Sequence, residues 1–441
     1  MNHSVRGRSS HLPTLAIFVV LCGALLGCGP PKDASSSPRG RRSADQPTPR
    51  ASEKSLPPFV YAANQVASEG RLPFYELKME PRDLARLEQN PFSNDTYPAA
   101  FISSGVVYEG VKVRFRGQWA RTWPKKPLKI FFDHDKMFNG QRCLNLNSAW
   151  RDPAFVRETL AYQVYAACGV PAPQSQMVRL HVNGKFRGLY AQVEQPDKEF
   201  LNRVNFKGAS LFKAISKSNR ADERDLGVEA SYKVHYNQET HKAGGYGELQ
   251  GFCRDLARTT NSLDFFTQRV DLEKYINNLA ATILVQHWDC FNKNHFLLYD
   301  GRASKKWCVV PFDLDRTFGD DWRGPFDQDR LSIMLGTHQM PGITGWNRLE
   351  DRFFTDPVLR SKLYKRLEEL LEKEFIPAKL FPILDRLEAD ISPSAALDRQ
   401  RWPSPTPDLH GGIADVKSYI KGRKAYLLLE LAKLRQSEPA P

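Results

Sequence analysis

Four side chains between residues 289 and 315 could together carry out a reaction: Asp289, Asn294, Asp313 and Asp315. They lie in His287-Trp288-Asp289-Cys290-Phe291-Asn292-Lys293-Asn294-His295 and in Pro311-Phe312-Asp313-Leu314-Asp315. Between these runs are two apolar stretches that flank a turn at Asp300-Gly301. That pattern predicts a buried β-hairpin. A hairpin gathers at its open end whatever precedes its first strand and follows its second. One Asp to accept a hydroxyl proton, with an Asn and a second Asp to hold a divalent cation on nucleotide phosphates, are the parts of a phosphoryl-transfer site. Asp289 is therefore the candidate base, and Asn294, Asp313 and Asp315 are the candidate metal ligands. Asp313 and Asp315 flank a single residue, and in an extended segment that spacing points both carboxylates the same way. Two carboxylates so close repel unless a cation or a shared proton lies between them. Mg²⁺ or Mn²⁺ would meet that need while keeping water and phosphate oxygens as further ligands. Asp residues also cap turns, but capping does not account for Asp289 and Asn294 meeting at the same hairpin mouth.

The order Asp289…Asn294…Trp307…Pro311-Phe312-Asp313-Leu314-Asp315…Phe318-Gly319 resembles the spore coat protein H (CotH) kinase family, secreted atypical protein kinases with a diverged kinase-like fold. The resemblance runs from about Tyr75 to Leu434. It takes in Asp152-Pro153…Arg157-Glu158, Gly169-Val170-Pro171-Ala172-Pro173, Asn183-Gly184, Gly188-Leu189-Tyr190, Val193-Glu194-Gln195 and Lys213. It also takes in Arg116-Gly117 followed by Lys125-Lys126-Pro127 and Lys129-Ile130. The resemblance implies ATP, Mg²⁺ or Mn²⁺, and a Ser or Thr hydroxyl of a protein substrate. It further implies a phosphate grip drawn from Arg116, Lys126, Lys129 and Lys213, with Glu194, or in second place Glu158, orienting the lysine. The sequence departs from the family at Gln118-Trp119-Ala120, which weakens a phosphate-cradling role for that loop more than it weakens the lysines.

The elements that must position these residues are legible in outline. Pro73 to Met79 reads as a first strand, and Asp83 as the cap of a short helix. Phe101–Val106 reads as a strand turning at Val107-Tyr108. Val111 to Gly117 alternates apolar and basic residues, which puts Lys112, Arg114 and Arg116 on one face. Lys125 to Phe132 gives a further strand, with Lys126 or Lys129 on a defined face. Asp152 with Pro153 reads as a helix opening, and Asn183-Gly184 as a hairpin turn. Residues 218–247 read as a mobile insertion. Asp271 caps a helix with an apolar stripe at Tyr275, Leu279, Ile283 and Leu284, which leads into Trp288-Asp289. Helices follow over 356–375, 378–391 and 413–434. The fold class expected is α+β, an atypical kinase-like body with a β-rich nucleotide-gripping part over 59–215, a mostly helical catalytic part over 216–435 and a frayed tail over 436–441.

The whole chain sets the remaining bounds. Its 441 residues are 41% hydrophobic and 26% charged, enough apolar material for a large core, and its net charge is +13. The basic residues are scattered rather than collected into an arm, and neither aromatic-basic nor zinc-type spacing is present, so nucleic acid is not an expected partner. The chain has no P-loop and no GxGxxG run. Arg6 and Arg8 precede an apolar stretch over 15–26 that is short for a membrane span and reads as a signal peptide, 1–27. It ends in Leu25-Leu26-Gly27-Cys28, which resembles a bacterial lipobox, so Cys28 is the expected lipidation site. Residues 28–58, rich in Pro, Ser and Arg, read as a disordered tether. The expected protein is a lipoprotein of the cell envelope, facing away from the cytoplasm. Beyond Cys22 and Cys28, five cysteines remain, expected mainly as buried thiols, with a Cys290–Cys308 bridge as the alternative. Two other functions fit the residues: a surface binding or structural protein without turnover, and a metal-dependent hydrolase using Asp313 and Asp315.

Overall fold

Apolar-polar alternation in the first third of the body is resolved by closing the sheet on itself. In the computed structural model, which describes residues 72–215, 220–320, 330–341, 345–404 and 408–437, seven strands form a closed barrel in the order β1-β2-β3-β4-β5-β7-β6. They are β1 (Phe74–Lys78), β2 (Tyr97–Ser103), β3 (Val106–Phe115), β4 (Leu128–Phe131), β5 (Cys143–Asn147), β6 (Ser175–Val182) and β7 (Lys185–Glu194). Closure is made by β1 lying parallel to β6, with Phe74 beside Arg179 and Leu77 beside Val182. Tyr75, Leu77, Phe101, Val111, Val113, Phe115, Ile130, Leu144, Leu146, Val178, Leu180 and Tyr190 fill the interior. The alternate residues of β3 and β4 therefore face out, and Arg114 stands opposite Lys129.

Several local expectations are corrected. The β2–β3 turn falls at Ser104-Gly105, both at positive φ, because that pair suits a two-residue hairpin turn; Val107 and Tyr108 continue β3. Helix α1 (Pro81–Gln89) starts on its proline, so Asp83 lies in its first turn rather than capping it. Helix α2 (Arg157–Ala167) begins later than Asp152. The Asp152 carboxylate accepts the N–H groups of Ala154 and Arg157 and pairs with the Arg157 side chain at 2.5 Å, fixing the approach to the helix.

After α3 (Lys198–Arg203), strand β8 (Ser210–Ala214) leaves the barrel. It enters a second sheet, ordered β11-β10-β8-β9, with β9 (Tyr236–Gln238), β10 (His295–Tyr299) and β11 (Trp307–Pro311). The expected hairpin is β10–β11, paired from His295–Pro311 to Tyr299–Trp307. Because β8 pairs with β10, hydrogen bonds of this second sheet cross the expected boundary at residue 215. The 218–247 stretch is more ordered than its polarity implies. It contains α4 (Glu229–His235) and β9, and it buries Asp222 and Glu223; residues 216–219 are not described.

The helical half comprises α5 (Gly247–Arg258), α6 (Ser262–Arg269), α7 (Leu272–Val285), α8 (Arg348–Thr355), α9 (Pro357–Lys373), α10 (Pro377–Arg401) and α11 (Leu409–Ser437). Helices α6 and α8 were not expected. Helix α10 runs ten residues past its expected end and through Pro393, its cost offset by burial of Leu384, Leu387, Ile391 and Ala395. All five cysteines among the described residues are free. Cys290 precedes β10 and donates to the His287 carbonyl at 2.9 Å, whereas Cys308 sits inside the hairpin opposite Leu298. The signal peptide, Cys28, the tether and the loop around Trp322 all fall outside the described residues.

Candidate active site

Helix α7 ends on Gln286 in the left-handed conformation, and this turns the chain sharply into His287-Trp288-Asp289. Asp289 is nearly buried. One of its oxygens accepts the Asn294 side-chain N–H at 3.0 Å, and the other lies 3.0 Å from the Lys293 ammonium. Burial pushes its carboxyl up to about 6, with Asp313 adding to the rise and Lys293 opposing it. A carboxylate with that affinity can hold a proton briefly near neutral pH, which is what a general base must do. The Asn294 amide nitrogen is committed to Asp289, so its carbonyl oxygen is the atom left for a cation.

Past β11, Asp313 sits at φ 62 and its N–H donates to the Tyr162 hydroxyl of α2 at 3.2 Å. This corrects the expectation of an extended Asp313–Asp315 pair. The segment turns at Asp313, so strand periodicity no longer aligns the two carboxylates. They remain electrostatic neighbours, and burial and the Asp313 charge push Asp315 up. Asp315 also lies 4.0 Å from Arg316, whose other nitrogen holds Asp320 at 2.7 Å. The segment is tied back to α7 by the Phe318 N–H on the Val285 carbonyl at 2.7 Å. Asp313 thus feels Asp289, Asp315, Glu158 and Lys213 together.

Facing this acidic group is a basic one. Lys213 on β8 lies over the Phe312 ring at 4.7 Å. Burial holds it down at about 8; Arg116 and Lys129 reinforce this and Asp313 opposes it. The Arg116 guanidinium sits 5.8 Å from the same ring and donates to the Asn147 side-chain amide oxygen. Lys129 donates to Gln195 at 2.7 Å. Three expected phosphate cations therefore share one electrostatic neighbourhood with Asp313. Lys126 does not join them: its ammonium is tied at 3.0 Å to the Trp123 carbonyl of its own loop. Glu194 does not orient a lysine either. It is paired with Arg203 at 2.5 Å and caps the Gln174 N–H at 3.0 Å.

The carboxylate near the basic group is Glu158, the second choice from sequence. It is buried at the start of α2 and takes both amide contacts of Asn147 at 2.7 and 2.8 Å. Burial, then Asp315 and Asp313, push it well above the usual range. Sequence reasoning missed Asn147, Tyr162 and Lys293 as site residues; only the Lys293-Asn294 adjacency offered a signal. Among the described residues no group of three or more His, Cys, Asp or Glu side chains is placed to hold a metal ion. A nucleotide-bound Mg²⁺ asks for less, one or two protein oxygens with phosphate and water supplying the rest. Asn294 and Asp313 fit that smaller set.

A match to the CotH kinase protein family spans residues 113–427 and so includes Arg116, Lys213, Asp289, Asn294 and Asp313. The chain belongs to the CotH kinase family. Inner spore coat protein H of Bacillus subtilis is 26% identical over 374 residues, covering 82% of this chain and 98% of that protein. The fungal invasin CotH2 of Rhizopus delemar is 24% identical over 261 residues, covering 55% of this chain and 44% of the invasin. Among solved structures, the Helicobacter pylori proinflammatory kinase CtkA overlaps 70% of this chain and 95% of its own at 10% identity, with a TM-score of 0.33. The residue roles of this CotH kinase-family chain therefore rest on its own geometry.

Lys213 and Lys126 offer a test within that geometry. Lys213→Met is expected to weaken Mn²⁺–ATP binding by roughly 10- to 100-fold, the worth of one charge-assisted contact, and to melt no lower because it removes a buried charge. Lys126→Ala is expected to bind within about twofold of wild type. Isothermal titration calorimetry reads both.

Proposed function

We propose that this CotH-family protein is an ATP-dependent kinase that phosphorylates a Ser or Thr hydroxyl of an exported or surface protein. The observation that carries the reading is the pairing at one mouth of Asp289 and Asn294 from before β10 with Asp313 from after β11, opposite Arg116, Lys129 and Lys213. Lys213, Arg116 and Lys129 bind the nucleotide phosphates, and Glu158 is held beside them by Asn147. Asn294 and Asp313 would hold a divalent ion, which would supply charge neutralisation at the transferring phosphate. Asp289 takes the proton from the attacking hydroxyl, and Lys293 keeps its carboxylate turned toward the site. Cys28 carries the lipid that fixes the protein to the membrane from outside the cytoplasm.

The test is an incubation of the purified chain with labelled ATP, Mn²⁺ or Mg²⁺ and envelope proteins of the source cell. Label is expected on protein, at Ser or Thr; free phosphate with no labelled protein would indicate hydrolysis instead. The names of the relatives, a spore coat protein and an invasin, favour a second reading: a surface binding or structural protein without turnover. That reading predicts no calorimetric binding of Mn²⁺–ATP.

A further inference from the structure

Between the base Asp289 and the ligand Asn294 run four residues outside any helix or strand, and a backbone of that kind has carbonyls to satisfy. Each of the four has a named donor. The His295 Nδ1 lies 2.8 Å from the Cys290 carbonyl and 3.0 Å from that of Lys293. The Asn347 side-chain amide donates to the Phe291 carbonyl at 2.7 Å, and the Ala221 N–H donates to that of Asn292 at 3.2 Å. The donors are themselves joined. Glu223 holds His295 Nε2 at 2.8 Å with one oxygen and bonds Asn347 with the other. Asn347 is fixed in turn because its carbonyl oxygen caps α8 through the Leu349 N–H at 2.7 Å. Glu223, His295 and Asn347 are all buried. Two glycines let the surrounding loop come this close. A Cβ at Gly345 would stand 2.5 Å from the Asn292 amide, and one at Gly336 would stand 2.2 Å from the Phe291 ring.

We propose that Glu223, His295 and Asn347 are positioning residues that hold the 290–293 backbone in the shape that brings Asp289 and Asn294 into contact. None of the three touches the reacting atoms, so their effect on transfer runs entirely through the loop. The inference rests on the kinase reading for its catalytic consequence, but the clamp itself is a property of the fold. It also gives the 220–224 segment a role: that stretch supplies Glu223 and Ala221 to the active loop.

The experiment uses the full chain and two variants. Asn347→Ala removes the donor to Phe291 and also an α8 cap. Glu223→Gln keeps the cap, keeps an acceptor for His295, and sets an amide against the Asn347 amide. In both, kcat for protein phosphorylation is expected to fall about 100-fold, the effect of displacing a catalytic group by an ångström, with KM for Mn²⁺–ATP within about threefold of wild type. Amide hydrogen exchange over residues 290–294 is expected to quicken at least about tenfold in both, with other elements unchanged. A purely structural role would lower kcat and raise exchange across the whole chain together. Wild-type kcat in Glu223→Gln, or unchanged exchange over 290–294, overturns the clamp. If the wild-type chain itself transfers no phosphate, the kinase reading falls and the exchange measurement alone decides the clamp.

Discussion

Asp289→Asn is expected to lower phosphate transfer by about 10³- to 10⁴-fold while the protein melts at or above the wild-type temperature at pH 7. The first half follows from the role of base: an amide occupies the same space and its oxygen can still accept from Asn294, but its NH2 then faces the Lys293 ammonium and it cannot take a proton. The second half follows from burial. The folded protein raises the Asp289 carboxyl from its ordinary 3.8 to about 6, so the folded state binds that proton more tightly than the unfolded chain. Relative to its protonated form, the group's contribution to stability is fully present below pH 4 and is lost as pH rises through about 6, so that holding the charge above that costs about 3 kcal/mol in total. Asparagine removes that cost, and the stranded Lys293 charge returns part of it. A variant that is inactive and no less stable separates chemistry from folding. The same carboxyl sets the acid limb of the wild-type profile: kcat/KM should fall about tenfold per unit below pH 6, and a pH–rate series reads it. Transfer retained in Asp289→Asn would remove the base from the mechanism.

What the sequence disclosed and what it concealed divide along a physical line. The β10–β11 hairpin, the Asp271 cap of α7 and the Asn183-Gly184 turn all arise from patterns within a dozen residues, and they stand where periodicity and turn chemistry put them. Barrel closure was not legible, because the β1–β6 pairing joins residues about a hundred positions apart and no local pattern encodes it. The same limit explains Glu194 and Glu158. Both are acids next to a family motif, and only the tertiary fold decides that Arg203 claims the first and Asn147 the second. Lys125 and Lys126 stand side by side in one family run, and no local pattern shows that Lys125 is the one buried. Asp313 looked extended because it follows a strand; its positive φ is stabilised by Tyr162 from a helix 150 residues earlier. Glu223 lay in a stretch that read as a mobile insertion, because burying a charge depends on partners that sequence does not place.

Lys125→Met is expected to cost about 3–5 kcal/mol of stability, and the double variant Lys125→Met/Asp398→Leu is expected to recover most of it. Lys125 enters the body just before β4 and is fully buried, with its ammonium 2.5 Å from Asp398 of α10 and 2.5 Å from the Leu189 carbonyl. Asp398 also accepts the Leu189 N–H at 2.7 Å. One ion pair thus joins the barrel, through β7, to α10. Gly188 is required at the contact, since a Cβ there would stand 2.5 Å from the Asp398 carboxylate. Burial holds the Lys125 ammonium down at about 8 against the pull of Asp398, so desolvation is the larger influence on this group. Removing the lysine alone leaves Asp398 charged, buried and facing only the Leu189 N–H, the arrangement proteins tolerate least. Removing both side chains takes these partners from both the Leu189 N–H and the Leu189 carbonyl, a cost of about 1–3 kcal/mol for a group left unpaired, which is why recovery stops short of complete. Denaturant titrations of the wild type, the two single variants and the double variant give the coupling directly. Additive single costs would mean that the pair does not hold barrel and helix together. A strong coupling would locate the joint between the barrel and α10 at one buried charge pair, far from Asp289 and Asp313 in sequence.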